Sequence, residues 1–204
     1  MPDIKNLVLD LGNVVVDVDY PRFCLKVGID VKAFEAFYDS PFFRGFEIGK
    51  KTREDYFRAL EKYTGFPADR RNELERQIHT AFPLRLRTWG MIHFLKQHMP
   101  VYLLSNTNVV DFENIDAHVG LRKAFHKVYL SYEQKRSKPD PETYRHAARV
   151  LGIHPEETLF CDDRQDNIEG VRQAGWQGYQ VESEGSFLTF LTKTLELNHG
   201  GLRW

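Results

Sequence analysis

Two cysteines, Cys24 and Cys161, are all that the 204 residues contain. They are too few for a disulfide scaffold and fit a reducing compartment. The eight histidines do not cluster at metal-ligand spacings, so no histidine zinc site is expected. Long apolar runs are missing too: Val14-Val15-Val16 is far short of the roughly 20 residues a bilayer requires. The N-terminus has neither the basic segment nor the apolar run of a signal peptide. Charge of one sign is not in excess, and a formal net charge of -1 supplies no general field for nucleic acid or acidic membranes. Any anionic ligand must be held by a local site. These absences predict a cytoplasmic protein that binds neither nucleic acid nor membrane. Repeats and low-complexity segments are also absent.

What is present is an ordinary globular composition, 42% hydrophobic and 28% charged, on a chain long enough to bury a sizeable core. Its organising stretch is Leu7-Val8-Leu9-Asp10-Leu11-Gly12-Asn13-Val14. An apolar run without polar alternation must be covered on both faces, the habit of strands in parallel sheets. The run stops on one carboxylate, and in open α/β sheets ligands bind at the carboxyl ends of strands. Taken alone, Asp10 is equally well read as a cap of the following turn.

Val14 to Asp19 reads as a short β-hairpin or flap, since β-branched residues dominate a brief run. Tyr20-Pro21 starts a helix, and to about Thr88 the apolar spacing is helical: Phe34, Phe37 and Tyr38; Tyr56, Leu60 and Tyr63; Leu74, Ile78 and Phe82. Thr52 with Asp55 predicts a capped helix start, and Gly65-Phe66-Pro67 a stop. The next strand, Val101-Tyr102-Leu103-Leu104, follows a helical stretch from Trp89 to Gln97. It lies about ninety residues after the first strand, whereas a crossover takes about a dozen or more. An inserted helical cap over residues 19–88 accounts for the excess, leaving 1–18 and 89–204 as the core. Downstream, strands at Val128-Tyr129-Leu130, Thr158-Leu159-Phe160-Cys161 and Gly178 to Val181 alternate with helices opening at Asp140-Pro141 and after Asp163, and a last amphipathic helix around Phe187 to Leu195 precedes a Gly-rich tail. The expected fold is α/β: a Rossmann-like parallel sheet flanked by helices, with an inserted helical-bundle cap.

Three features fall just past the ends of buried strands: Asp10, Ser105-Asn106-Thr107-Asn108, and Asp162-Asp163. Convergent carboxylates repel unless a cation lies between them. Oxygen donors without histidine or thiolate favour Mg²⁺, which takes one or two carboxylates together with waters and substrate phosphate. Ser105 adds a hydroxyl, and the turn after it can offer N–H groups to a phosphate oxygen, or can be a simple serine turn. Lys138 can bring a fixed positive charge to the same edge. Asp166 either orients metal-bound waters or only caps its helix. Cys161, beside two acids, is read as a core residue rather than a nucleophile.

Together these parts resemble the haloacid dehalogenase superfamily: Leu9-Asp10-Leu11-Gly12-Asn13-Val14, Leu104-Ser105-Asn106, Lys138-Pro139, and Phe160-Cys161-Asp162-Asp163 with Asp166-Asn167, in the family's order. More narrowly, the first, second and last motifs resemble the bacterial α-D-glucose-1-phosphate phosphatase group. The resemblance implies a phosphatase of small phosphorylated metabolites, in which Asp10 attacks phosphorus and binds Mg²⁺. It implies Asp163 as the direct metal ligand, Asp162 as a supporting or additional one, and the carbonyl of Gly12 as the last protein ligand. Ser105, the Asn106 amide and Lys138 would hold the phosphoryl oxygens.

Gly12 departs from the family pattern, because most of its phosphatases carry an acid–base aspartate there. Asp17 and Asp19 are candidate substitutes, though solvated loop residues are the plainer reading. Two other functions compete: a metal-independent 2-haloacid dehalogenase, which would gain nothing from two extra acids beside Asp10, and a non-catalytic phosphate-binding or interaction protein that has lost its general acid at Gly12. Phosphomutase activity is disfavoured, since it leans on the residue missing at Gly12. In the cap, Arg44, Glu47, Lys50, Lys51 and Arg53 either reach the ligand or, on the plainer reading, form a solvated charged loop, and Phe42, Phe43 and Phe46 are read as packing the cap interior rather than contacting substrate.

Overall fold

The computed structural model describes residues 4–195; the Gly-rich tail lies outside them. A parallel five-stranded sheet has the order β3-β2-β1-β4-β5. In chain order, β1 (Asn6–Leu9) is followed by α1 (Tyr20–Val27), α2 (Val31–Tyr38), α3 (Pro41–Glu47), α4 (Arg53–Thr64), α5 (Arg71–Gln77) and α6 (Leu86–Leu95). Then come β2 (Val101–Ser105), α7 (Val109–Val119), α8 (Leu121–Ala124), β3 (Lys127–Leu130), α9 (Ser131–Gln134), α10 (Pro141–Leu151), β4 (Thr158–Asp162), α11 (Gln165–Gln173), β5 (Gln177–Gln180) and α12 (Glu184–Thr194). The fully buried residues of β1, β2 and β4 explain their unbroken apolar runs, because helices cover both faces of the sheet.

Local signals fix many element ends. Thr52 and Asp55 form the reciprocal capping box of α4, Asp140 caps α10 with Pro141 at its first position, and Gly65 and Gly152 close their helices in the left-handed conformation. Between β1 and β2, helices α1 to α5 gather their own apolar cluster, in which Phe23, Phe34, Phe37, Phe43, Phe46 and Tyr56 are buried against one another. Val110, from α7 of the core, is buried in that same cluster.

Three details differ from the sequence pattern. Val14 to Asp19 forms no hairpin: the Val15 and Val16 N–H groups return to the Leu11 carbonyl, and only single bridges join Gly12 to Val16 and Val16 to Leu84. Val14, Val15 and Val16 are fully buried, so core packing and not strand pairing accounts for their β-branched run. Helix α5 stops at Gln77 and tightens into a 3₁₀ turn, Ile78–Ala81, although Leu74 and Ile78 remain buried. Helix α7 is not among the elements that the pattern predicts; its polar Asp111, Glu113 and Asn114 interrupt a clean apolar stripe.

Gly170 lets α11 lie directly on the loop that carries Lys138. A Cβ there would collide with the Pro139 carbonyl and meet the Tyr144 ring at 3.0 Å. Gly170→Ala is expected to destabilise by about 1–3 kcal/mol, as overpacking does. Thermal denaturation should show this as a melting-temperature drop of roughly 2–4 °C per kcal/mol.

Candidate active site

Parallel register brings the strand-end groups together. Leu9 of β1 aligns with Leu103 of β2 and Cys161 of β4, so Asp10 emerges beside the end of β2 and next to Asp162. The Asp10 N–H still donates to the Cys161 carbonyl at 2.9 Å, which fixes its backbone to β4. The place is the one where strand order reverses about β1, the usual crevice of such sheets.

Lys138 lies at the floor, 4% exposed, with its Nζ 2.7 Å from Asp10 Oδ1 and 2.6 Å from Asp162 Oδ2. Burial alone pulls an ammonium's pKa down, but the two carboxylates outweigh it and hold Lys138 above its ordinary value. Asp10 is pushed up to about 7, chiefly by burial, with Lys138 opposing and Asp162 adding to the rise. Asn106 sets the lysine in place: its Nδ2 donates to the Lys138 carbonyl and its Oδ1 accepts the Lys138 N–H, each at 2.9 Å. The Asn106 side chain is thereby committed, which leaves its backbone N–H and the buried Ser105 hydroxyl for an oxyanion.

The acidic pair divides. Asp162 is fully buried, and its oxygens accept from Lys138, from both approaches of Asn167 Nδ2 at 2.9 Å and from the Arg164 N–H. Asp163 is half-buried, faces the cavity and accepts from Asn13 Nδ2 at 3.0 Å. Oxygens of Asp10, Asp162 and Asp163 lie within 4.8 Å of one another. Because Asp162 is saturated by donors, Asp10 and Asp163 are the carboxylates free to hold a divalent cation, and Gly12, which lines the same cavity, has a backbone carbonyl to offer. Two carboxylates and a carbonyl, all hard oxygens, fit Mg²⁺.

Asp166 is not brought to this cluster: it turns to Arg164, 2.7 Å away, and accepts the Asn167 N–H. The support expected of Asp166 comes instead from Asn167. Asn13 was also missed as a contact. Its left-handed φ of 53°, in a Gly-Asn turn, is the signal that marks it. Asp17 pairs with Arg85 at 2.6 Å and Asp19 caps α1, so neither is free to replace an acid at Gly12. Arg85 also donates to the Asn13 carbonyl and so braces the loop after Asp10.

Asp10, Gly12, Ser105, Asn106, Lys138 and Asp163 line one cavity of about 770 Å³. The sequence of residues 4–175 matches the haloacid dehalogenase-like hydrolase family. The chain belongs to this family and is a hydrolase. It is 28% identical to D-ribitol-5-phosphate phosphatase of Bacteroides thetaiotaomicron, over 94% of this chain and 98% of that one. A crystal structure of a family enzyme from Bacteroides thetaiotaomicron, in complex with magnesium and inorganic phosphate, superposes with a TM-score of 0.77 at 27% identity, covering 89% of this chain and 96% of that one. A predicted hydrolase of the family from Porphyromonas gingivalis gives 0.78 at 25%, covering 94% and 98%. Among the described residues, no helix of this family member is long and apolar enough to cross a membrane.

The side of the cavity formed by α1 to α3 holds Tyr20, Tyr38, Arg44 and Glu47, joined by Asp111 of α7. The Glu47 carbonyl lies 2.6 Å from the Ser131 hydroxyl, which also accepts the Thr107 N–H at 2.9 Å; Lys135 Nζ donates to the Gly49 carbonyl. Arg44 and Glu47 thus reach the site, contrary to the solvated-loop reading. Arg53 does not, being paired with Glu75 and Glu113. Phe43 and Phe46 are buried in the apolar cluster that α1 to α5 gather.

Asn106→Ala removes both bonds that aim Lys138. Loss of a group that orients an active side chain typically lowers activity about 10–100-fold. Steady-state turnover of a phosphate ester by this variant should fall in that range while its circular dichroism stays that of wild type; wild-type turnover would show that Lys138 needs no such brace.

Proposed function

We propose that this hydrolase is a Mg²⁺-dependent phosphomonoesterase of a small phosphorylated metabolite, a sugar phosphate such as glucose 1-phosphate, acting through an aspartyl-phosphate on Asp10. The observation that carries the reading is Lys138 bridging Asp10 and Asp162 at the cavity floor, with Asp163 alongside. A carboxylate pinned by a fixed cation presents its remaining lone pairs toward the cavity. The magnesium and inorganic phosphate held together by the related Bacteroides enzyme, and the phosphate ester in the name of the ribitol relative, support it.

In this reading an Asp10 oxygen attacks phosphorus as the bond to the ester oxygen breaks, and that oxygen leaves with the bonding pair. Water then attacks the same phosphorus, releases phosphate and restores the Asp10 carboxylate. Ser105, the Asn106 N–H and Lys138 receive the phosphoryl oxygens, so the chain's contribution is mainly positioning and charge neutralisation. Mg²⁺ held by Asp10, Asp163 and the Gly12 carbonyl would supply further neutralising charge. With Gly12 bare and Asp17 and Asp19 engaged elsewhere, the departing oxygen takes its proton from water, which suits a good leaving group such as an anomeric oxygen.

Hydrolysis of p-nitrophenyl phosphate should require Mg²⁺, stop with EDTA and be abolished in Asp10→Asn; activity indifferent to either treatment refutes the mechanism. Gly12→Asp should raise turnover of alkyl phosphates, whose leaving groups are poor, by up to the 10²–10⁴-fold that acid–base help contributes. A Cβ at position 12 would lie 3.3 Å from Val18 Cγ2, so the valine must yield slightly. Equal rates for Gly12→Asp and wild type would show that protonation is already provided.

A further inference from the structure

Phosphoryl transfer makes no use of the far wall of the cavity, where Asp111 is buried and Tyr20, Tyr38 and Glu47 are half-buried. Asp111 is only 8% exposed. Its Oδ2 accepts from Asn108 Nδ2 at 2.7 Å, while Asn108 Oδ1 accepts the N–H groups of Val110 and Asp111. The bond to Asn108, which caps α7, engages one carboxylate oxygen of Asp111, and the residue lines the cavity. The same cavity is lined by Tyr20 and Tyr38, whose ring centroids are 4.7 Å apart, and by Glu47 at the end of α3.

Among the described residues neither Glu47 nor Asp111 forms an ion pair. Burial pushes both carboxyls up to about 7; at Glu47 Asp111 adds to the rise while Arg164 and Arg44 oppose it, and at Asp111 the Asn108 bond opposes it. Acids and phenols withdrawn from water are unfavourable unless they gain hydrogen-bond partners. A phosphoryl group is the wrong partner, since its charge has the same sign as theirs. Uncharged hydroxyls are the right one: each can donate to a carboxylate and accept from a phenol or a protonated carboxyl. Arg44, on the same wall, disfavours a cationic amine there.

We infer that Tyr20, Tyr38, Glu47 and Asp111 form the leaving-group subsite and that it selects a polyhydroxylated, uncharged leaving group by hydrogen bonds to its hydroxyls. The inference rests on the phosphatase reading and names what that site distinguishes. Asp111 is the unexpected member, because it belongs to the core helix after Ser105 and not to the cap.

The test compares kcat/KM of the full chain with Mg²⁺ for an alditol phosphate, glucose 1-phosphate, n-butyl phosphate and phosphoethanolamine, in wild type, Asp111→Asn, Glu47→Gln and Tyr38→Phe. Wild type should prefer one of the polyhydroxylated esters over butyl phosphate. Each variant should reduce that preference, by roughly tenfold for the two acids, the worth of a hydrogen bond to a charged group, mostly through KM. Tyr38→Phe removes one hydroxyl only and keeps the test decisive if an acid variant fails to fold. Equal losses on all esters would make the wall structural and overturn the proposal, as would a preference for phosphoethanolamine. If no ester is hydrolysed, the phosphatase reading fails, and calorimetric binding of the same esters decides the subsite: Asp111→Asn must weaken the favoured polyhydroxylated ester more than butyl phosphate.

Discussion

One ammonium between two carboxylates organises the end of the sheet. Asp10 and Asp162 are brought side by side by parallel pairing of β1 and β4, and without Lys138 their charges would meet in a place from which water is largely excluded. Bringing such charges out of water is expensive unless each finds a partner. The partners here are numerous: Lys138 spans both acids, Asn167 and the Arg164 N–H complete Asp162, and Asn106 clasps the lysine backbone. Several segments distant in sequence are thereby committed to one geometry. The cluster is a constraint on the fold as much as a piece of chemistry, and Gly170 belongs to it because only a residue without a side chain lets α11 approach the Lys138 loop.

The strands and the floor of the site were legible because their signals are local. An unbroken apolar run that ends on a polar residue marks both a covered strand and its exit from the core, which is how Asp10, Ser105 and Asp162 stand out. Caps at Thr52 and Asp140 are equally local. Rotational phase around a helix is not. Asp166 and Asn167 are neighbours in the first turn of α11, yet successive residues point about 100° apart, and packing decides that Asn167 faces Asp162 while Asp166 meets Arg164.

The far wall was less legible still. Asp111 carries the ordinary signature of a capping acid, and Tyr20 and Tyr38 that of a helix interior; nothing in their spacing places them opposite Asp10. Their juxtaposition arises only when the helical segment after β1 settles on α7, which it meets through α5 and the 3₁₀ turn Ile78–Ala81, a contact between segments far apart in the chain. The same holds for Glu47, whose neighbours in sequence are charged enough to resemble an exposed loop. Val14 to Val16 illustrates the reverse error, in which a composition suited to strands serves simple burial.

Ser131 touches the Glu47 carbonyl on one side and the Thr107 backbone on the other. A single hydroxyl therefore ties the end of α3 to the loop that leaves Ser105. A displacement of α3 away from the sheet would have to break this link and the Lys135 bond to Gly49, and would carry Glu47 out of the cavity. The completeness of the far wall therefore depends on a buried hydroxyl that does not itself line the cavity.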